Sequence, residues 1–163
     1  MLPLHRDFRE FIELLSSHQV EFMVIGGYAL AAYGRPRYTG DIDFFVKKSP
    51  ENAKRIVGAL HAFFGHLPEI QEENFLHDDR MSQFGVEPLR IDILVHIKGI
   101  DFDTAFQRRS VIHYSGLHIP FLSLDDLRAN KLATGRYKDL ADLGMLADID
   151  SPPPALPQTS HTP

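Results

Sequence analysis

The sequence predicts a mixed α/β fold, a single domain with helices and strands interspersed along the chain. Three observations predict it. Apolar residues recur at helical spacing in several segments, beginning with Phe8, Phe11, Ile12 and Leu15. Apolar runs of strand length lie between those segments, as at Glu21–Ile25 and Asp41–Val46. The chain has 163 residues, the size of one compact domain, and 44% of them are hydrophobic, enough to build a core.

Taken in order, residues 5–18 form the first expected helix. Glu21-Phe22-Met23-Val24-Ile25 reads as a buried strand that Gly26-Gly27 ends. The Ala-rich segment Tyr28 to Tyr33 gives one or two helical turns. Gly34 to Gly40 is a loop by its Gly and Pro content. Asp41 to Val46 is the second strand. Ser49-Pro50-Glu51 starts a helix, with Ser49 as N-cap and Pro50 in the first turn. Ile56, Val57, Leu60, Phe63 and Phe64 form the buried stripe of that helix. After a polar stretch at 69–79, Arg80 to Val86 and Leu89 to Ile97 read as strands around a Glu87-Pro88 turn. Asp101 to Arg109 is a short helix. Val111 to Tyr114 and Leu117 to Leu122 form a hairpin around Ser115-Gly116. Ser123-Leu124-Asp125-Asp126 has the form of a capping box, opening a helix that stops near Gly135; a last helix spans about Tyr137 to Ala147. Residues 151–163 carry five prolines and no apolar periodicity, so the domain is placed at 1–150 and the rest is expected to be a disordered tail.

Composition narrows the function classes. No apolar run approaches the roughly 20 residues that span a bilayer, and the N-terminus lacks the apolar stretch of a signal peptide. The absence of cysteine rules out disulfides, thiolate metal sites and a thiol nucleophile. No membrane association and a cytoplasmic location are expected. The net charge of −5 leaves no overall basic footprint, so any grip on nucleic acid needs a local basic patch or a partner.

The informative segment is Asp41-Ile42-Asp43-Phe44-Phe45-Val46. Alternation along a strand projects Asp41 and Asp43 to one face, with Ile42 and Phe44 on the other. Carboxylates this close repel one another, and a divalent cation turns the conflict into a binding site; oxygen ligands suit magnesium or manganese. A second apolar strand carries Asp92 within Ile91-Asp92-Ile93. Asp92 then faces solvent, pairs with Arg90, or meets the other two carboxylates. If the two strands are neighbours, the three form the ligand set for two cations about 4 Å apart. Gly26-Gly27, between a strand and a helical segment, allows close backbone approach to a phosphate, although Gly-Gly also serves as a plain turn.

Gly26-Gly27, a short helix and loop, and then Asp41-Ile42-Asp43 together resemble the signature of the nucleotidyltransferase superfamily related to DNA polymerase β, with Asp92 matching its third carboxylate. The segment Lys131-Leu132-Ala133-Thr134-Gly135-Arg136-Tyr137-Lys138-Asp139-Leu140-Ala141-Asp142 is similar to one in the AbiEii-like, toxin–antitoxin-associated branch. The resemblance covers about residues 8–147. It implies a minimal nucleotidyltransferase fold, a small mixed β-sheet with helices packed on one side. It implies transfer of a nucleoside monophosphate from a nucleoside triphosphate such as ATP to a hydroxyl, with two Mg2+ or Mn2+ ions. By position, Asp41 and Asp43 would hold both cations. Asp92 would bind the catalytic one and help deprotonate the acceptor. Gly26 and Gly27 would cradle triphosphate oxygens, and Lys131 would contact phosphate. Asp139 and Asp142 resemble the last acidic motif. Serine is frequent in relatives at the position of Gly27. A longer C-terminal helical domain is also common among them, so a helical partner chain is a further expectation.

Other residues keep two readings. Arg35, Arg37 and Thr39 contact phosphate or acceptor, or shape the loop. Arg90 shares its strand face with Asp92 and is expected to orient it. Lys131 and Arg136 also suit a helix C-terminus without any ligand, and Lys138 is a possible auxiliary. The nine histidines show no zinc spacing. The acceptor is expected to be an RNA or tRNA end, or a side-chain hydroxyl on a partner protein. The rival readings are a catalytically weak module that scaffolds or neutralises a partner, and a metal-dependent phosphodiesterase.

Overall fold

The computed structural model describes residues 4–36, 38–114 and 116–149. The expected tail, 151–163, lies outside them. The chain begins with α1 (Arg6–Ser17), β1 (Phe22–Ile25), α2 (Gly26–Ala32), β2 (Asp41–Val46) and α3 (Pro50–Phe64). After a 3-10 turn at Glu72–Phe75 come β3 (Met81–Phe84), β4 (Arg90–Leu94), α4 (Phe102–Gln107), β5 (Ser110–Tyr114), β6 (Leu117–Phe121), α5 (Leu124–Thr134) and α6 (Tyr137–Leu146). Among the described residues, no helix is long and apolar enough to cross a membrane.

The strands form one six-stranded mixed sheet in the order β3-β4-β2-β1-β6-β5. β2 lies antiparallel to β1 and parallel to β4. That parallel pairing needs a crossover, which α3 supplies. Ser49 starts α3 as its spacing predicts, accepting a hydrogen bond from the Asn52 amide at 3.1 Å, a cap worth about 1 kcal/mol.

Alternation along β2 divides the sheet into two faces. Ile42 and Phe44 sit on the α1 side with Ile91 and Ile93, their partners in β4. There Phe11 of α1 packs edge-on against Phe44 at 5.5 Å and against Phe63 of α3 at 5.4 Å. Such pairs add about 0.5–1.5 kcal/mol each beyond their area burial. Buried Asn52 of α3 ties the two central strands together. Its amide donates to Glu21 O at 3.1 Å and Lys47 O at 2.8 Å, and its oxygen accepts from the Glu21 amide at 2.9 Å. The opposite face carries Asp41, Asp43 and Phe45, and α4 covers one end of it through Phe102, 5.1 Å from Phe45.

Several boundaries differ from expectation. The second helix begins at Gly26 rather than Tyr28, so the glycine pair forms its first turn and the strand runs directly into it. The strand expected at 80–86 is shortened to Met81–Phe84, and that at 89–97 to Arg90–Leu94. Val86, Leu89, Val95 and Ile97 among their outer residues are apolar but have no ladder partner on the neighbouring strand. The capping box at Ser123 is half made. Ser123 Oγ accepts from the Asp126 amide at 3.1 Å, but the buried Asp126 carboxylate turns to Arg108, which donates to it at 2.7 and 3.2 Å. A charged partner outcompetes a neutral backbone N–H.

Candidate active site

The register of the central strands assembles the site. Asp43 in β2 pairs directly with Asp92 in β4, and Asp41 pairs with Arg90. Ligand oxygens of Asp41, Asp43 and Asp92 all lie within 4.8 Å of one another. The sequence left three outcomes open for Asp92. Two hold together: it meets the other carboxylates and it pairs with Arg90. Asp92 is nearly buried at 3% exposure, so its charge needs such partners.

Arg90 is a fork between carboxylates. Its Nε donates to Asp92 Oδ1 at 3.0 Å, and its Nη2 donates to Asp92 Oδ2 at 3.2 Å and Asp41 Oδ2 at 3.0 Å. Thr39 Oγ1 lies 2.9 Å from both the Asp41 backbone oxygen and Asp41 Oδ1. Burial pushes the Asp43 carboxyl up to about 8, with the negative charges of Asp41 and Asp92 adding to the shift. Burial raises Asp92 as well. Asp41 goes the other way: burial pushes it up, but hydrogen bonds shared with Asp92, Thr39 and Arg90 outweigh that and leave it below the ordinary value.

The glycine pair is shaped to this constellation. The register Ile25↔Asp43 brings Gly26 beside Asp43. Gly26 has φ +70°, and a Cβ there would meet Asp43 Oδ2 at 2.2 Å. A Cβ on Gly27 would lie 2.8 Å from Thr39 Cβ and 3.0 Å from its Oγ1. Thr39 thus fills the space a serine at 27 would take, which accounts for glycine at this position.

These residues line a cleft of ≈ 620 Å³. Its wall also includes Gly26, Gly27, Thr39, Lys131, Arg136, Lys138 and Asp139. Arg37 lies outside the described residues. Arg35 is turned from the cleft, donating to Met145 O at 2.8 Å and so tying the loop to α6. Lys131 is buried, and its Nζ donates to Asp142 Oδ2 at 2.9 Å and Asp139 Oδ1 at 3.4 Å. Arg136 donates to the other side of Asp139 at 2.6 and 3.3 Å. Asp139 is pulled down to about 2: burial pushes it up, but hydrogen bonds from Arg136 and Thr134 and the charges of Lys131 and Arg136 outweigh that. Lys138 is exposed, and its positive charge partly offsets the rise at Asp43.

Sequence reasoning missed the far wall: Gln83, His96, Lys98 and Asn130. Gln83 pairs directly with Asp92 across β3 and β4. Alternation would have placed it on the acidic face had the hairpin register been known. The other three sit on a loop and a helix with no motif.

The donor set fits a divalent cation. Three hard oxygen ligands converge, and three carboxylates face one guanidinium, so a surplus of negative charge remains.

Comparison with known proteins bears on the fold and the family. A solved Thermotoga maritima structure described as a "putative nucleotidyltransferase" matches with a TM-score of 0.55 over 85% of this chain and 89% of that one, at 19% sequence identity. That likeness concerns the fold. The comparison with curated proteins found no match. The model of the family described as nucleotidyl transferase AbiEii toxin, type IV toxin–antitoxin system, matches residues 13–159, and the chain belongs to that family.

Proposed function

We propose that the chain moves a nucleoside monophosphate from a nucleoside triphosphate to a hydroxyl of a macromolecular acceptor, releasing pyrophosphate and a proton. The observation that carries this reading is the convergence of Asp41, Asp43 and Asp92 in one cleft with Gly26-Gly27 and exposed Lys138. Asp41, Asp43 and Asp92 would hold two Mg2+ or Mn2+ ions, which supply charge neutralisation for the triphosphate and acidify the attacking hydroxyl.

The protein groups divide the remaining work. Gly26 and Gly27 let triphosphate oxygens approach the backbone where a side chain would obstruct them. Lys138 offsets phosphate charge as it shifts toward the leaving pyrophosphate, and Arg136, held by Asp139 on the same wall, is auxiliary to it. Asp92, raised by its burial, takes the proton of the acceptor hydroxyl. Lys131, held by two carboxylates, acts by fixing α5 against α6, so its support for phosphate is indirect. Residues 1–150 operate as one domain. The acceptor is an RNA or tRNA end, or a hydroxyl on a partner protein, in a toxin-like role in the cytoplasm. A helical partner chain contributes to acceptor grip.

The tie of Arg90 to both Asp41 and Asp92 favours a second reading, a catalytically weak module that scaffolds a partner. One experiment separates the readings. The protein is incubated with each labelled triphosphate and Mg2+ in the presence of total RNA and lysate protein. Label should enter one macromolecule and be lost with Asp41→Ala. Hydrolysis without incorporation would instead indicate a phosphodiesterase, and binding without turnover a scaffold.

A further inference from the structure

Arg90 claims the oxygens that a cation needs. Its guanidinium donates to both oxygens of Asp92 and to Asp41 Oδ2, all between 3.0 and 3.2 Å. A guanidinium and a divalent cation cannot crowd the same carboxylates without mutual repulsion, which a half-buried setting screens poorly. A second partner for Arg90 is already close. Glu87 Oε1 lies 3.6 Å from Arg90 Nη1, on the exposed side, with the Glu87 side chain 57% accessible. Gly40 leaves room for Glu87 there, because a Cβ on Gly40 would meet Glu87 Cδ at 2.6 Å. A small residue immediately before β2 therefore leaves room for a carboxylate just outside the acidic triad.

We propose that Arg90 is a built-in competitor for the metal site, shared between the Asp41/Asp92 pair and Glu87, and that it sets the affinity of the site for divalent cations. On this account cation binding drives Arg90 off Asp41 toward Glu87. Arg90 is a positioning residue that acts through the carboxylates it touches. The inference rests on the metal-site reading above and adds a device that weakens and regulates cation binding.

The test uses Mn2+ alone, titrated calorimetrically into the full chain without nucleotide. Arg90→Ala should tighten Mn2+ binding by about tenfold, because a competing positive charge is removed. Arg90→Gln, which keeps a neutral hydrogen-bonding group against Asp92, should tighten it in the same direction and serves if the alanine variant does not fold. Glu87→Gln should weaken binding in the wild type and have little effect in the Arg90→Gln background, since its influence runs through Arg90. Melting adds a second readout. Arg90→Gln should melt lower than wild type in chelator, yet gain more from Mn2+. A purely structural role would lower both melts alike. Unchanged or weaker Mn2+ binding in both Arg90 variants overturns the proposal, as does an equal Glu87→Gln effect in both backgrounds. If wild type and Asp43→Ala alike bind no Mn2+, the metal-site reading fails and the proposal with it. Wild-type binding that is lost with Asp43→Ala, with the Arg90 variants unchanged, fails the proposal alone.

Discussion

Two clusters of charge face the same cleft and differ in balance. In the first, three carboxylates, Asp41, Asp43 and Asp92, face one cation, Arg90, which bonds Asp41 and Asp92. In the second, Asp139 and Asp142 meet Lys131 and Arg136, one cation for each carboxylate. The carboxylates respond in opposite ways. Asp43 is pushed up to about 8, while Asp139 is pulled down to about 2. The same residue types leave a surplus of negative charge in one place and make a self-contained strut in the other. Of the two, the acidic triad is the one whose surplus charge an added cation would neutralise. The sequence segment containing Lys131, Asp139 and Asp142 thus serves first to clamp α5 to α6, and through that to shape the wall on which Lys138 stands.

The largest effect that would sharpen this contrast is on turnover. Asp41→Ala should reduce nucleotide transfer by at least about a thousandfold, since it removes charge stabilisation used in the transition state. Its folding stability in chelator should fall less than that of a strut variant, because the lost Thr39 and Arg90 contacts are offset by relief of a like charge beside Asp43 and Asp92. A strut residue should behave in the reverse manner. Lys131→Met leaves Asp142 buried without its ammonium and should cost about 3 kcal/mol in urea unfolding. Equal stability losses for the two variants would erase the distinction.

The pH dependence of stability in chelator should carry opposite signs for Asp43 and Asp139, one carboxylate from each cluster. The unfolded Asp43 ionises near 4, whereas the folded one keeps its proton to about 8. The native state therefore binds the extra proton between those values, and this group's contribution falls as pH rises from about 4 to about 8. Asp43→Asn should flatten that slope. Asp139 ionises near 2 when folded, so its stabilisation is complete above pH of about 4 and is lost as pH falls toward 2. Asp139→Asn should remove that acid-side loss. Melting curves across pH, with both variants beside wild type, read the two effects separately.

The smallest effect belongs to the exposed cation between the clusters. Lys138→Ala should raise the KM for triphosphate about three- to tenfold, and more at low salt than at high salt. Its unfolding free energy should stay within about 0.5 kcal/mol of wild type. A large stability loss would show that Lys138 belongs to the strut instead.

Much of this was legible in the residues. The helical stripe of Phe8, Phe11, Ile12 and Leu15, the Ser49 cap and the Asp41–Val46 strand all fall where their spacing places them. Local rules suffice for such elements because caps and periodicity act within a few residues. The glycine pair was harder. Gly26 and Gly27 read as phosphate-cradling positions, yet their nearest demands are steric, from Asp43 and Thr39. Nothing local reveals that, since the neighbours come from the next strand and its preceding loop. Arg35 was left between function and structure, and its partner Met145 lies 110 residues away.

By itself the sequence determined the mixed fold class, the alternation that places Asp41 and Asp43 on one face, and the family-like motifs that single out Asp92. Only the tertiary structure decided that β4 lies beside β2 in the register Asp43↔Asp92, and that Arg90 forks across two of the three carboxylates. It alone buried Lys131 in a balanced ion cluster. The reason is range. Side-chain direction follows from backbone geometry one residue at a time, whereas charge balance depends on which distant segments the packed sheet and helices bring within a few ångströms.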